Sequence, residues 1–147
     1  MNFPRVALAA VVSWLVYLAV SFLVHGLLLS DLYARHAGRT RQEDDQAGIL
    51  PVALALALVG FFAFAYAYAK GYEGGRGTQE GLRFGVLVGL MLCSFAAIFQ
   101  YMVWPVSETL LLAWLLDYVL EFALYGIIVG LVYRPAGAPL RRTIGLV

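Results

Sequence analysis

The chain has 147 residues, of which 63% are hydrophobic and only 13% are charged, and its mean hydropathy is +0.84. Soluble domains carry roughly 25% charged residues, so this composition excludes a soluble globular protein and indicates an integral membrane protein. The long apolar runs lack polar alternation, which favours membrane-spanning helices over a β-barrel. A net charge of +1 without a basic patch argues against nucleic-acid binding, and the single Cys93 excludes an intramolecular disulfide.

The apolar runs predict an all-α fold of four transmembrane helices, arranged as an antiparallel up-down bundle in one domain over residues 1 to 147. Each run is long enough to cross a hydrocarbon core of roughly 30 Å at a rise of about 1.5 Å per residue. The first run is longer than the apolar part of a signal peptide, so we expect it to remain as a helix. The predicted helices cover residues 6 to 29, 49 to 69, 82 to 104 and 110 to 133, and a tail follows from 134 to 147.

The first predicted helix carries four polar residues at intervals of four. This spacing places them along one face, which we expect to contact protein rather than lipid. Hydrogen bonding between helices is the favoured interpretation. The alternative makes the histidine a metal ligand or a proton carrier, because an imidazole titrates near neutral pH and binds metals readily. The four residues are Ser13, Tyr17, Ser21 and His25.

The connection from residue 30 to 48 contains both signs of charge, and we predict a solvated loop. His36 lies close to its acidic residues, but the spacing matches no standard metal site. The second predicted helix begins near Ile49. Pro51 then falls in the first turn, where the missing N–H has no partner within the helix.

A glycine-rich loop from residue 70 to 81 joins the second and third predicted helices, and it lacks the features of a phosphate-binding loop. Two pairs of glycines at a spacing of four follow, one near the start of the third helix and one near the end of the fourth. Small residues let helices approach closely, and both pairs lie at the same membrane depth. They therefore predict direct contact between these helices. The glycines are Gly85, Gly89, Gly126 and Gly130.

Two acids lie near the middle of the fourth predicted helix. A carboxylate at the bilayer centre costs about 2.5 to 3.5 kcal/mol on insertion scales, so both acids should be neutral, paired or in contact with protein. Counted from the same membrane face, Glu121 lies level with Tyr17 and Asp117 with Ser21. If the first helix lies against the fourth, we expect Tyr17 or Ser21 to donate a hydrogen bond to the acids. The expected buried polar cluster, also a candidate proton path, comprises Tyr17, Ser21, His25, Gln100, Asp117 and Glu121.

Metal binding would require His25, Asp117 and Glu121 to converge. Two carboxylates and one imidazole can hold a divalent transition ion, but no paired E-x-x-H spacing is present, and no cofactor is predicted. No catalytic motif is visible, so we predict no catalytic residues. At 100° per residue the acids lie opposite the glycines of the fourth helix. That helix is therefore either packed between the third and first helices, or its acidic face contacts another membrane subunit or another copy of the chain.

The distribution of basic residues predicts the orientation. Seven lie on the side of the N-terminus, the second loop and the tail, against three in the first loop. The positive-inside rule then places both termini in the cytoplasm. The seven are Arg5, Lys70, Arg76, Arg83, Arg134, Arg141 and Arg142, and the three are Arg35, Arg39 and Arg41.

Three motifs carry a resemblance to a known family. KGYEGGRG…EGLRFG joins the second and third helices, VHGLLLSDLY ends the first, and Tyr101 with Pro105 forms a YxxxP end to the third. Over nearly its whole length the chain resembles a family of small uncharacterised bacterial four-helix inner-membrane proteins. The resemblance implies this topology and a bacterial inner membrane, and it implies no activity.

We expect the protein to be an accessory, assembly or scaffold subunit of a larger membrane complex. The grounds are its minimal loops, its lack of catalytic motifs, and an acidic face that requires contact with another protein surface. The alternative is a homo-oligomeric carrier or channel for protons or a small solute, using the midplane acids of the fourth helix. No duplicated half-repeat supports the carrier. A third option is a membrane enzyme or cofactor site that uses His25.

Overall fold

The computed structural model describes residues 1 to 36, 43 to 133 and 135. In these residues all regular structure is helical, and four helices are long and apolar enough to cross a membrane. This confirms the predicted number and type of long helices. The predicted tail lies outside the described residues except for residue 135, as do five of the arginines that predicted the orientation. The long helices are α1 (Phe3–Leu28), α2 (Glu43–Gly71), α3 (Gly77–Val103) and α4 (Glu108–Val132).

Local sequence explains where α1 begins, and its last turns depart from regular α-helix. Asn2 caps the helix, because its Oδ1 accepts the N–H of Arg5 at 3.3 Å. The final segment, Phe22–Leu28, is a π-helix, in which each backbone hydrogen bond spans five residues instead of four. A short helix, Ser30–Ala34, follows. π-helical turns are rare and occur frequently at functional sites. The position of His25 in this segment therefore makes it a candidate functional residue.

The helices α2 and α3 begin earlier than hydropathy predicts. α2 covers Glu43–Gly71 and so includes Asp44 and Asp45 before the apolar run, where acidic residues are favourable near a helix N-terminus because of the helix dipole. The prediction that Pro51 lies in the first turn is therefore wrong, and this proline lies inside the helix. α3 starts at Gly77, so the prediction of a loop as far as residue 81 is wrong for its last part.

The contact between α3 and α4 is made largely by backbone. A Cβ atom added at Gly81 would overlap the carbonyl oxygen of Gly126, and one added at Gly85 would overlap that of Phe122. As residue numbers rise along α3, those of the α4 contacts fall. The four glycines that the sequence assigned to this contact all lie in it, together with two that were assigned to the loop. The complete set is Gly77, Gly81, Gly85, Gly89, Gly126 and Gly130.

The helix α4 is packed between α3 and α1. Its glycine face meets α3 and its acidic face meets α1, so the structure shows the first of the two arrangements that the sequence left open. α2 packs against α1, and Trp14 Nε1 donates to the carbonyl oxygen of Leu54 at 3.1 Å. α2 also reaches α4 through aromatic rings, with the centroids of Phe61 and Tyr125 5.1 Å apart.

His36 joins the first loop to the start of α4. Its Nδ1 lies 2.8 Å from the carbonyl oxygen of Leu32, and its Nε2 lies 3.1 Å from the backbone nitrogen of Ser107. Because a carbonyl oxygen only accepts and a backbone N–H only donates, Nδ1 donates to Leu32 and Nε2 accepts from Ser107. The residue is 6% exposed. The prediction of a solvated loop is therefore wrong at His36, which joins the segment after α1 to the segment before α4.

Candidate functional site

Three ionisable side chains from α1 and α4 meet in the region where these helices are in contact. His25, Asp117 and Glu121 each offer one nitrogen or carboxylate oxygen, and these three atoms lie within 4.8 Å of one another. The distance from His25 Nε2 to Asp117 Oδ2 is 3.3 Å. Glu121 follows Asp117 by about one helical turn, so both carboxyl groups project from the same face of α4. Glu121 lies near the middle of α4, whereas His25 lies near the end of α1. The side chain of His25 is 39% exposed and that of Asp117 is 12% exposed.

The π-helical segment changes the direction in which His25 projects. A π-helical turn contains an extra residue, so side chains beyond it leave the face that a spacing of four predicts. The segment begins directly after Ser21, and the predicted polar stripe is therefore interrupted between Ser21 and His25. Ser13, at the other end of the stripe, is fully buried, and its hydroxyl has no hydrogen-bond partner among the described residues.

Tyr33 holds the imidazole of His25 from the side of the first loop. Its hydroxyl oxygen lies 2.9 Å from His25 Nδ1 and accepts the indole N–H of Trp114 at 2.9 Å. Burial raises the pKa of Tyr33, against the opposing effect of the hydrogen bond from Trp114, so Tyr33 is a neutral phenol. The hydroxyl fixes the orientation of the imidazole and leaves Nε2 directed at the carboxyl group of Asp117.

Glu121 is the most enclosed member of the cluster. The residue is 8% exposed, and its Oε2 accepts a hydrogen bond from the hydroxyl of Tyr125 at 2.7 Å. Its other oxygen, Oε1, is buried and has no hydrogen-bond partner in the part of the chain that the structure describes. Leaving a buried acceptor unpaired costs free energy, about 1–3 kcal/mol for a neutral group and more for a charged one. The carboxyl group of Asp117 is close to Glu121, so the Glu121 carboxyl group can either share a proton with Asp117 or bind a positively charged group.

The remaining residues of the predicted cluster lie beside it rather than in it. Tyr17 packs its ring against those of Phe61 and Tyr125, with centroid distances of 5.5 Å and 6.2 Å. No hydrogen bond joins Tyr17 or Ser21 to either acid within the described ranges, so the expected donors are wrong and Tyr125 donates instead. Gln100 is exposed and interacts with Tyr118 of α4.

Sequence reasoning missed three residues that organise the site. Trp114 precedes Asp117 by three positions and Tyr125 follows Glu121 by four, so helical spacing alone places both on the face of the acids. Tyr33 lies in the VHGLLLSDLY motif, but nothing in the sequence indicates that its hydroxyl meets a residue of α4. Its contact with Trp114 depends on how the short helix Ser30–Ala34 folds back over the cluster.

Aromatic rings close the cluster on the side away from Tyr33. The ring of Tyr125 packs edge-to-face against Phe61 and Phe122, with centroid distances of 5.1 Å and 5.7 Å. Phe64 continues this layer, 5.6 Å from Phe122 and 4.8 Å from Phe84. Among the described residues, the polar contacts that start at Trp114 and Tyr33 run through His25 to Asp117. Glu121 and Tyr125 form a separate hydrogen-bonded pair beside them, next to the aromatic layer. The site is connected to one end of the bundle and separated from the other by apolar packing.

The cluster is suited to holding positive charge. Two carboxyl groups and one imidazole supply oxygen and nitrogen donors, and a carboxylate in the hydrocarbon region requires compensation. The contact of His25 with Asp117 provides part of this charge compensation. No family model, curated protein or solved structure matches the chain. The fold and the site thus define a class, a protein whose described residues include four helices of membrane-spanning length and a cluster of ionisable residues around the buried Glu121.

Proposed function

We propose that the protein binds a small cation, a proton or a metal ion, in its buried cluster and acts as a carrier. In this proposal it is a multi-pass protein of the bacterial inner membrane, with an antiparallel up-down bundle and both termini in the cytoplasm. The basic residues of the N-terminus, the second loop and the tail support this orientation. His25, Asp117 and Glu121 then lie toward the outer side.

The observation that carries the proposal is the state of Glu121. A carboxyl group with an unpaired oxygen is held inside the span, within 4.8 Å of a second carboxyl group and an imidazole. A purely structural network would be expected to satisfy its buried polar atoms, since an unpaired one is destabilising. Intramembrane acids that face the interior of a bundle commonly mark ion or proton pathways.

The carrier proposal includes a step that moves the aromatic layer. Tyr125, which donates to Glu121, lies against the aromatic layer of Phe61, Phe64 and Phe122, and this layer covers the way to the other side. Passage of a cation beyond Glu121 therefore needs these rings to separate or a second copy of the chain to supply the other half of the route. A homo-oligomer is the simplest assembly in which a second chain supplies the rest of the path for the cation.

An accessory subunit of a larger membrane complex is the second candidate. The closed aromatic layer favours an accessory subunit, because the polar residues of this chain reach only part of the way across the bundle. A partner subunit would then supply polar residues for the rest of the path. In that case a larger membrane subunit would dock on the bundle, and the cluster would position the helices or feed an ion to the partner. In this interpretation the same cluster has a role, but within a complex of different subunits rather than within a carrier.

The two candidates are separated by one pair of measurements. The full-length chain and the E121Q variant are reconstituted into liposomes that contain pH-sensitive and zinc-sensitive dyes, with E108Q as the matched control because Glu108 is an exposed acid on the same helix. If the protein is a carrier, we expect a flux of protons or zinc ions that is lost in E121Q and retained in E108Q. A flux no greater than in protein-free liposomes contradicts the carrier proposal. Co-purification of larger subunits from native membranes, disrupted by E121Q, would instead support the accessory subunit.

A further inference from the structure

We infer that His25, Asp117 and Glu121 bind one divalent transition-metal ion of the zinc class. The inference rests on the proposed cation site and specifies its ligand. Its first support is the donor set, because one imidazole and two carboxylates suit first-row divalent ions such as Zn²⁺, Co²⁺, Mn²⁺ and Fe²⁺. Ca²⁺ takes six to eight oxygen ligands and Mg²⁺ keeps several waters, so neither matches a nitrogen-containing set of three ligands.

The distances agree with a metal-centred arrangement. Ligand atoms about 2.0–2.1 Å from a tetrahedral ion are separated from each other by about 3.3–3.4 Å. His25 Nε2 and Asp117 Oδ2 are 3.3 Å apart. All three donor atoms lie within 4.8 Å of one another, so the widest pair must draw closer to reach the ligand separation of a tetrahedral ion. A water molecule would take the fourth position, as in three-ligand zinc sites.

The surroundings of His25 are those of a metal-binding histidine. Such a residue usually donates its second ring N–H to an oxygen acceptor, which fixes the tautomer and the ring orientation. Tyr33 provides this acceptor at 2.9 Å from Nδ1, and the N–H of Trp114 holds the same hydroxyl in place. In the metal-bound state the ion would replace the proton that Nε2 places between His25 and Asp117, and the remaining proton on Nδ1 would be donated to the Tyr33 hydroxyl oxygen. Tyr33 is thus a positioning residue for the ligand.

An independent observation points to a bound group at the same place. Glu121 is 8% exposed, yet its Oε1 has no hydrogen-bond partner among the described residues. Its Oε2 is held by the hydroxyl of Tyr125 at 2.7 Å, which restricts the rotation of the side chain. A metal ion would satisfy the unpaired oxygen. It would also bring two positive charges to two carboxylates, which removes the cost of holding both acids ionised inside the span.

The test is direct metal binding by the full-length chain in nanodiscs, after proteolytic removal of its affinity tag. Co²⁺ is the probe, because its visible absorption reports the number and type of ligands. We expect one Co²⁺ per chain with the bands of a four- or five-coordinate ion, displaced by Zn²⁺ and not by millimolar Mg²⁺. A spectrum of the six-coordinate aqua ion alone, or displacement by Mg²⁺, would overturn the inference.

Variants assign the binding to the three ligands. We expect H25A and E121Q each to weaken Co²⁺ binding at least ~10-fold, while E108Q leaves it unchanged. If E121Q does not purify as a monodisperse helical protein, D117N carries the same test. Equal affinity of the wild type and these ligand variants contradicts the site. Y33F should weaken binding by about 10-fold and shift the Co²⁺ bands, as expected when the partner of a ligating histidine is removed.

The outcomes separate this inference from the proposed function. Stoichiometric Co²⁺ binding that depends on Glu121, without flux in liposomes, would establish the metal site and contradict the carrier. Proton flux that depends on Glu121, without Co²⁺ binding, would support the carrier and overturn the metal site.

Discussion

On one face of α4, Gly126 and Gly130 lie against the backbone of α3, and on the opposite face Asp117 and Glu121 lie against His25 of α1. The glycine face is densely packed and leaves no space for a single added carbon. The acidic face retains a buried oxygen without a partner. The comparison separates two tasks that share one helix: the glycine face fixes where α4 stands, and the acidic face is stabilised less than it could be. Incomplete stabilisation of buried polar atoms is common at ligand-binding sites.

The glycine face should show the largest loss of stability on mutation. In G126A the new methyl group overlaps the carbonyl oxygen of Gly81, and backbone cannot move aside as a side chain can. We expect the free energy of unfolding to fall by about 3 kcal/mol, the upper part of the range for overpacking. Detergent-induced unfolding followed by circular dichroism measures this change.

Gly60 of α2 supplies the control for that prediction. A Cβ added there meets no atom within 4 Å. We expect G60A to match the wild type or to be more stable by up to about 1 kcal/mol, since alanine is the better helix former. Equal effects of G126A and G60A would mean that the α3–α4 contact is looser than the structure shows.

Removal of the Tyr33 hydroxyl should give the next largest effect. Y33F leaves the N–H of Trp114 and the Nδ1 of His25 without their shared partner, at a cost of about 2 kcal/mol in the free energy of unfolding. The fluorescence of Trp114, isolated by replacing Trp14 and Trp104 with Phe, should shift as well. Y66F is the control, because Tyr66 is exposed and its ring keeps its contact with Lys70. An unchanged Trp114 spectrum in Y33F would rule out this hydrogen bond.

The His36 contact should have a smaller and local effect. H36A removes the acceptor for the backbone N–H of Ser107, the residue that caps α4. We expect a loss of about 1 kcal/mol and faster hydrogen exchange in the first turn of α4. Peptide-level exchange measures this, with R35A as the control because Arg35 is exposed. Exchange that stays at the wild-type rate would show that the cap of α4 does not depend on the loop.

The smallest change in stability is expected on the acidic face. In E121Q the amide oxygen still accepts the hydrogen bond of Tyr125, while a carboxylate is removed from beside Asp117. We expect the free energy of unfolding to stay constant or to rise by up to about 1 kcal/mol, as often happens when a buried charge is replaced. A loss as large as that of G126A would abolish the distinction between the two faces and make Glu121 a structural residue.

Much of the fold could be predicted from the sequence, because its signals are local. Four apolar runs exceed the thickness of the hydrocarbon core, and this alone fixes the number of long helices. The spacing of Gly85, Gly89, Gly126 and Gly130 indicated the helix pair that has the closest backbone contact. The starts of α2 and α3 could not be predicted from hydropathy, because polar residues and glycine continue both helices past the apolar segment.

The candidate site was only partly predictable, because its geometry depends on departures from regular structure. The residues His25, Asp117 and Glu121 follow from the rule that intramembrane ionisable residues need a partner. The π-helical segment, which redirects His25, has no sequence signature comparable to a helix cap. Tyr33 meets Trp114 across 81 positions of sequence, and such a contact appears only once the chain is folded.

The positions of these contacts along the chain also bear on the order of assembly. The helices α3 and α4 are neighbours joined by the short segment from residue 104 to 107, so their glycine contact closes a small loop and costs little chain entropy. Glycine has no side-chain rotamers to lose when it is buried. The His25 contact joins the first long helix to the last. Nascent chains truncated before α4 therefore lack both acids, and the proposed cation site can form only once α4 has been synthesised and has packed against α1.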